Sequence, residues 1–232
     1  MERVVEKNNY NWRYERKFVI ENIDYKIIEG ILYTHPAFFK EIFHKRQINN
    51  IYLDTINYKN YYDHVDGSSN RIKIRIRWYN ETFGFIEKPV LELKIRNGLL
   101  GRKESYTLES FSVNNDLNIN ILNKVFNESD IPERIKILLK NYSPSLLNVY
   151  NRKYFISYDK KFRITIDSDM KFYKIRNNNN TFLSYSENYN NTILEIKYDF
   201  ENEKYIKFIT EFLPFRLSKN SKYVNGLILN YW

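Results

Sequence analysis

The chain has 232 residues, 43% of them hydrophobic, with 37 Lys and Arg against 28 Asp and Glu for a formal net charge of +9. That is enough apolar chain to fold, which excludes a disordered basic tail, and the surplus charge favours an anionic partner such as nucleic acid, acidic lipid or a phosphate-rich small molecule. The absence of cysteine excludes disulfides, thiolate nucleophiles and sulfur-ligated zinc, and three histidines argue against a multi-histidine metal centre.

The N-terminal stretch MERVVEKNNYNWRYERK has no apolar core of the signal-peptide kind, and no segment approaches the ~18 apolar residues of a spanning helix. A soluble, cytoplasmic protein is expected. In chain order, period-two patterning predicts a first strand near 12–20. Asp24 then caps a helix with Ile27, Ile28, Ile31 and Leu32 on one stripe, and Pro36 ends it or begins the next turn. Strands follow near 47–55, 70–79, 90–96 and 102–109. A second helix carries Ile119, Leu122, Val125 and Phe126, breaks near Pro132 and resumes through Ile135, Leu138 and Leu139. Four more strands are expected near 148–158, 161–168, 170–176 and 192–199, and a helix from Glu203 through Ile206, Ile209 and Phe212 stops before Pro214. Many strands without a βαβ alternation imply an α+β, mainly β fold built on an antiparallel sheet or barrel. The best linkers are residues 112–118 and the Asn-rich stretch 177–180, and residues 1–232 are expected to form a single domain.

Side chains two apart on a strand share a face. Arg71, Lys73, Arg75 and Arg77 therefore oppose Ile72, Ile74 and Ile76, while Glu92, Lys94 and Arg96 oppose Leu91, Leu93 and Ile95. Arg163, Thr165 and Asp167 oppose Phe162, Ile164 and Ile166; Glu195 and Lys197 oppose Leu194, Ile196 and Tyr198. In the first strand Arg13, Glu15 and Lys17 oppose Tyr14, Phe18 and Ile20. One reading is an ordinary sheet with its charged face in water. However, four like charges along one face repel one another, and a solvated face usually mixes signs. The alternative is a barrel of about eight strands lined by the charged faces, with the isoleucine faces packed outward against helices. Such an interior attracts a triphosphate or a longer phosphate chain. Glu195 beside Lys197 allows two readings, a carboxylate holding Mg²⁺ or Mn²⁺ against a phosphate, or a same-strand ion pair with no ligand.

These residues resemble a known family. RYERKF at 13–18, IYLDT at 51–55, RIKIRIRWY at 71–79, LELK at 91–94, NRKYF at 151–155, FRITIDSD at 162–169, LEIKY at 194–198 and SKNSKY at 218–223 follow the order and spacing of a VTC domain. This is the polyphosphate polymerase branch of the triphosphate tunnel metalloenzymes (CYTH-like superfamily), and the chain resembles its stand-alone bacterial form. The resemblance implies an eight-stranded antiparallel β-barrel with a few helices outside. It further implies transfer of the γ-phosphate of ATP to a growing polyphosphate chain, with Mn²⁺ or Mg²⁺ as cofactor. Carried over motif by motif, Lys17, Arg71, Arg75, Arg77, Lys94, Lys103, Arg152, Arg163, Lys197, Lys219 and Lys222 would bind phosphate. Glu195 would ligate the metal, and Arg163, Lys197 and Glu195 would carry the catalysis. The wider superfamily opens with E-x-E-x-K, whereas this chain has Arg13 at the first position and keeps Glu15 and Lys17. That suits the polymerase branch and leaves fewer carboxylates for a second metal. ATP and polyphosphate are the implied partners, a membrane partner would be a separate polypeptide at the inner face of the membrane, and nucleic acid is not expected.

Phosphoryl transfer asks mainly for positioning and charge stabilisation, which pre-placed Arg and Lys supply. The attacking phosphate oxygen is already anionic and needs no base. His35 and His44, in helical segments, and His64, in a loop, are accordingly expected at the surface. Two rivals stand beside the polymerase: an inorganic or nucleoside triphosphatase on the same scaffold, and a non-catalytic barrel that binds polyphosphate or RNA. For the second, 17% aromatic residues could stack bases, but Tyr14 and Phe18 fall on the apolar side, which suits packing.

Overall fold

A computed structural model of the chain describes residues 13–98, 100–176, 180 and 186–231. The Asn-rich linker expected at 177–180 falls outside them except for Asn180, as does the Trp12 end of the first strand. The elements run β1 (Arg13–Ile20), α1 (Tyr25–Tyr33), β2 (Lys40–Asp54), α2 (Lys59–Val65), β3 (Asn70–Tyr79) and β4 (Gly84–Ile86). Then come β5 (Val90–Asn97), β6 (Leu100–Thr107), β7 (Phe111–Val113), α3 (Ile119–Glu128), α4 (Glu133–Leu139) and β8 (Ser143–Ile156). Last are β9 (Phe162–Lys174), β10 (Glu187–Tyr189), β11 (Thr192–Asp199), a 3₁₀ turn Phe200–Tyr205, α5 (Ile206–Thr210) and α6 (Lys222–Tyr231). They form two compact units. The first takes the described residues up to Lys45 with Lys153–Asp167 and Asn191–Lys219; the second takes Arg46–Arg152, Ser168–Asn190 and the residues from Asn220 on.

In the first unit β11 pairs antiparallel with β1 on one side and β9 on the other, setting Lys17 opposite Glu195 opposite Thr165 and Glu15 opposite Lys197 opposite Arg163. The opposite face carries Phe18, Ile20, Ile164, Ile166, Leu194 and Ile196, which pack with Ile28 and Leu32 of α1 and Ile206 and Ile209 of α5. As read from the sequence, Asp24 caps α1, its Oδ1 accepting from the Lys26 N–H at 2.9 Å. His35 departs from expectation. It follows α1 and is buried among Phe39, Phe208 and Phe212. Its Nε2 is 3.0 Å from the Ile209 carbonyl, and its Nδ1 accepts from the Ala37 N–H at 2.9 Å. The ring thus bridges two segments as a neutral Nε2–H tautomer, and burial holds its pKa below the ordinary value. His44 lies exposed on strand β2 rather than on a helix, because β2 begins at Lys40, earlier than its apolar residues announce.

The second unit contains the run β8-β2-β3-β5-β6. Ile74, Ile76, Leu91 and Leu93 point to one side and meet Leu122, Val125 and Phe126 of α3 and Ile135 and Leu139 of α4. This is the expected arrangement, with the apolar face under helices and the charged face opposite. Short strands β4 and β7, unforeseen in the sequence, pair beside this core and add Ile86, Phe111 and Val113. The carboxylate of Asp54, buried at the end of β2, accepts from the N–H groups of Thr55, Asn60 and Tyr61, so that one side chain starts α2. His64 consequently sits in a helix and not in a loop. Among the described residues the sheet does not close. The outer edge of β1 is met instead by an isolated bridge from Leu217 to Phe18, with the Ser218 N–H donating to the Lys17 carbonyl and the Ser218 hydroxyl accepting from the Val19 N–H. That segment satisfies backbone groups that a further strand would have to pair.

Two further findings correct the element boundaries. Residues 161–168 and 170–176, read as separate strands, form the single strand β9, whose alternation breaks at Asp169 in the left-handed region (φ 53°). Before it Ile164 and Ile166 enter the core of the first unit; after it Tyr173 and Ile175 enter that of the second. The sequence also gave no sign of α6, because Gly226 interrupts its pattern. A Cβ at Gly226 would lie 2.4 Å from Leu146 Cδ2 and 2.5 Å from Phe172 Cδ1, so the glycine is what lets the helix approach the sheet. Tyr223 and Leu227 of α6 pack with Tyr52, Tyr61, Leu146 and Phe172, and the Tyr223 hydroxyl donates to Asp54. Alanine is ordinarily the better helix former, yet overpacking opposes it here. Gly226→Ala is expected to lose about 1–3 kcal/mol, read as a lower urea midpoint, and equal or higher stability would refute the close approach.

Candidate active site

Charged side chains gather in each unit on the face turned away from its core. In the first unit the Lys17 ammonium is 2.6 Å from Glu15 Oε1 and 3.9 Å from Glu195 Oε2. The Lys197 ammonium is 2.6 Å from Glu195 Oε1. Glu195 is buried, with two lysines against it, and Thr165 beside it in register is buried as well. Arg163 stands opposite Lys197 on β9 and is exposed. Of the sequence-predicted residues, Lys17, Arg163, Glu195 and Lys197 are therefore brought onto one face. Lys219 belongs to this unit but lies exposed outside that ladder. The Glu195–Lys197 ion pair is present, and the donor set is one of hard oxygens. Glu195 with Glu15 gives at most two carboxylates, and among the described residues no group of three acidic or histidine side chains could enclose a metal. Two carboxylates completed by phosphate oxygens and water fit Mg²⁺ or Mn²⁺ better than softer ions.

In the second unit the register aligns cations in rows. Arg71 pairs with Arg96, Lys73 with Lys94 and Lys94 with Lys103, while Arg75 faces Glu92. The Arg75 guanidinium meets Glu92 Oε2 through Nε at 2.7 Å and Nη2 at 2.6 Å. Arg77 Nη1 is 3.6 Å from the same oxygen, and the Lys103 ammonium is 2.6 Å from Oε1. Burial would raise the Glu92 carboxyl, but Arg75, Arg77 and Lys103 outweigh it and hold the pKa at about 2, against an ordinary 4.5. Arg71 moves the other way, lowered by burial and by Arg96 beside it.

The remaining contacts fix the cations from behind. Arg77 Nε donates to Asn50 Oδ1 at 3.0 Å, and its Nη2 is 3.5 Å from the Tyr150 hydroxyl. The ring of Tyr150, itself buried, has the Lys222 ammonium 4.8 Å and the Arg152 guanidinium 5.3 Å from its centroid, within cation–π range. Lys73 bonds to Ser221 at 3.0 Å and lies 3.2 Å from His64 Nε2. The side chains of Arg75 and Arg77 are only 23% and 13% exposed and that of Glu92 8%. The charged face of β3 is thus no ordinary solvated surface. Lys94 and Lys103, by contrast, are exposed.

Arg71, Arg75, Arg77, Lys94, Lys103, Arg152 and Lys222 from the sequence-predicted set all belong to this second unit. Sequence reasoning missed the roles of Glu92, Tyr150, Asn50 and Lys73. Glu92 and Lys73 were visible as members of charged faces, but only strand register shows which cations one carboxylate meets. Tyr150 gave no signal beyond its strand.

The architecture matches solved structures of the triphosphate tunnel fold. A Hippeastrum protein named for adenylyl cyclase, whose report gives it a dominant triphosphatase activity, superposes with a TM-score of 0.52 at 15% identity over 93% of this chain and 95% of its own. A Vibrio parahaemolyticus protein named as an adenylate cyclase superposes with a TM-score of 0.50 at 10% identity over 92% of this chain and 96% of its own. Identities this low carry the fold alone. No curated protein matches the chain. The family model of the VTC domain matches residues 12–231, and the chain belongs to that family. No helix among the described residues is long and apolar enough to cross a membrane.

The depressed carboxyl of Glu92 has a thermodynamic sign. Its stabilisation is complete above the unfolded value near 4.5 and is lost as pH falls toward about 2. In urea unfolding between about pH 6 and pH 3, the wild type should lose stability more steeply than Glu92→Gln, by about 2 kcal/mol. Parallel curves would show that Glu92 is not held by its cations.

Proposed function

We propose that the chain is a metal-dependent polyphosphate polymerase, transferring the γ-phosphate of ATP to the end of an inorganic polyphosphate chain. The observation that carries this reading is the half-buried basic face of β3, where Arg75 and Arg77 converge with Lys103 on one carboxylate and outnumber it. Burial of this many cations favours a ligand that carries several negative charges. Membership of the VTC domain family supports phosphate chains as that ligand.

Arg75 and Arg77 offer planar forks that match phosphate oxygens, and Lys103 and Lys94 add point charges. Lys17, Lys197 and Arg163 hold phosphate in the first unit, with Glu195 and Glu15 as the residues that would hold Mn²⁺ or Mg²⁺. A bound divalent ion would supply positive charge to the transferring phosphoryl group. An anionic oxygen of the chain's terminal phosphate forms the new P–O bond, while the bond between the γ-phosphorus and the β-bridging oxygen breaks and ADP departs. No proton need move at the nucleophile, and His35, buried in hydrogen bonds to Ile209 and Ala37, takes no part. The triphosphatase reading, with water as acceptor, would use the same cations and metal. An RNA-binding module would have to stack bases on exposed rings such as Phe38, Phe85 and Tyr158, since Phe18, Trp78, Phe155, Phe162 and Tyr198 are buried in the cores.

Incubation with ATP and Mn²⁺ or Mg²⁺, with and without a short polyphosphate primer, should give ADP and long polymer on a polyphosphate-stained gel. Glu195→Ala and Arg163→Ala should each cut the rate by about a hundredfold or more, the usual effect of removing a charge that stabilises the transition state. Orthophosphate without polymer would establish the triphosphatase instead. No turnover, with polyanion binding that survives Glu195→Ala, would establish a binding module.

A further inference from the structure

Glu92 sits among its neighbours as a bound phosphate would. One carboxylate oxygen takes the side-on fork of Arg75 and the longer contact of Arg77, and the other takes the Lys103 ammonium. This is the pattern of charge-assisted bonds by which Arg and Lys grip an oxyanion, formed here by the protein on itself. The adjoining row aligns Lys73, Lys94 and Lys103, so Glu92 meets the end of a line of lysines through Lys103. Without Glu92, the half-buried Arg75 and Arg77 of β3 would face Lys103 of β6 across β5 with no carboxylate between them, a destabilising arrangement.

We propose that Glu92 is a positioning residue that acts as an internal anion: it keeps Arg75, Arg77 and Lys103 in phosphate-binding geometry when no substrate is present, and competes with incoming phosphates for them. The inference rests on the reading of this face as phosphate-binding and extends it to the strength of binding. A chain that must shift by one phosphate after each transfer is served by cations that let go as readily as they hold. Glu92 supplies the alternative partner that makes release easy. Three unopposed cations would bind the polymer more tightly and slow its movement.

The test is direct binding of fluorescently labelled linear polyphosphate, without ATP, to the wild type, Glu92→Gln, Glu92→Asp, Lys103→Gln and the Glu92→Gln/Lys103→Gln double variant. Glu92→Gln should bind about fivefold tighter, the scale expected for losing one partly screened competing charge. Glu92→Asp should stay near wild type. A purely structural carboxylate would behave oppositely, since loosening the cradle weakens binding. Should Glu92→Gln not fold, the comparison moves to the charge-balanced double variant, which should bind about fivefold tighter than Lys103→Gln alone. Equal or weaker binding in that comparison, or in folded Glu92→Gln, overturns the inference and leaves the phosphate site intact. If the wild type itself fails to bind polyphosphate, the reading of the site falls and this inference with it.

Discussion

The alternation of side chains along β3 forces the rest of the second unit into place. Drawing Ile72, Ile74 and Ile76 toward α3 and α4 commits Arg71, Lys73, Arg75 and Arg77 to the other side, about 6.6 Å apart along the strand. Hydrophobic burial on one face thus produces electrostatic crowding on the other, and the protein cannot have the first without the second. Neighbouring strands answer the crowding. β5 places Glu92 opposite Arg75, β2 offers Asn50 to Arg77, and β8 contributes the Tyr150 hydroxyl and ring. A surface arranged this way is stable without a ligand yet keeps an excess of positive charge.

The first unit meets the same difficulty with different proportions. There Glu195 is buried with two lysines against it, and Glu15 takes a third contact from Lys17, so acids and bases nearly balance. The second unit sets one carboxylate, Glu92, among Arg75, Arg77 and Lys103. One set of side chains mixes carboxylates with cations, and the other keeps a surplus of cations over the single carboxylate they share.

Much of this was legible in the sequence wherever one strand or helix carries its own signal. The period-two faces of β3, β5 and β11, the Asp24 cap and the apolar stripes of α1, α3 and α4 all stand where their residues put them. What escaped depends on distant partners. Glu92 acquires meaning only through register with Arg75 and Ser105, which no local pattern encodes. His35 is polar by composition but buried, because Ile209 and Ala37 satisfy both ring nitrogens from either side. α6 was hidden by the glycine that makes its contact with Leu146 and Phe172 possible, and the unity of β9 by Asp169, whose left-handed backbone reverses the alternation. The open edge of β1 depends on Leu217 and Ser218, some two hundred residues later in the chain.

The pairing of β1 with β11 also sets a condition on synthesis. Arg13 lies opposite Asp199, so β1 leaves the ribosome long before the strand that satisfies its backbone. The first unit draws on three separated stretches, and so does the second, whose final stretch is α6. Neither can complete its core on a partial chain; β2, β3, β5 and β6 can pair with one another as they emerge, whereas β1 has no ladder partner until β11 follows. Long-range pairing of this kind folds slowly and leaves sticky edges open. In a growing cell the demand for chaperone protection therefore falls on the nascent chain, and slower translation prolongs the exposure.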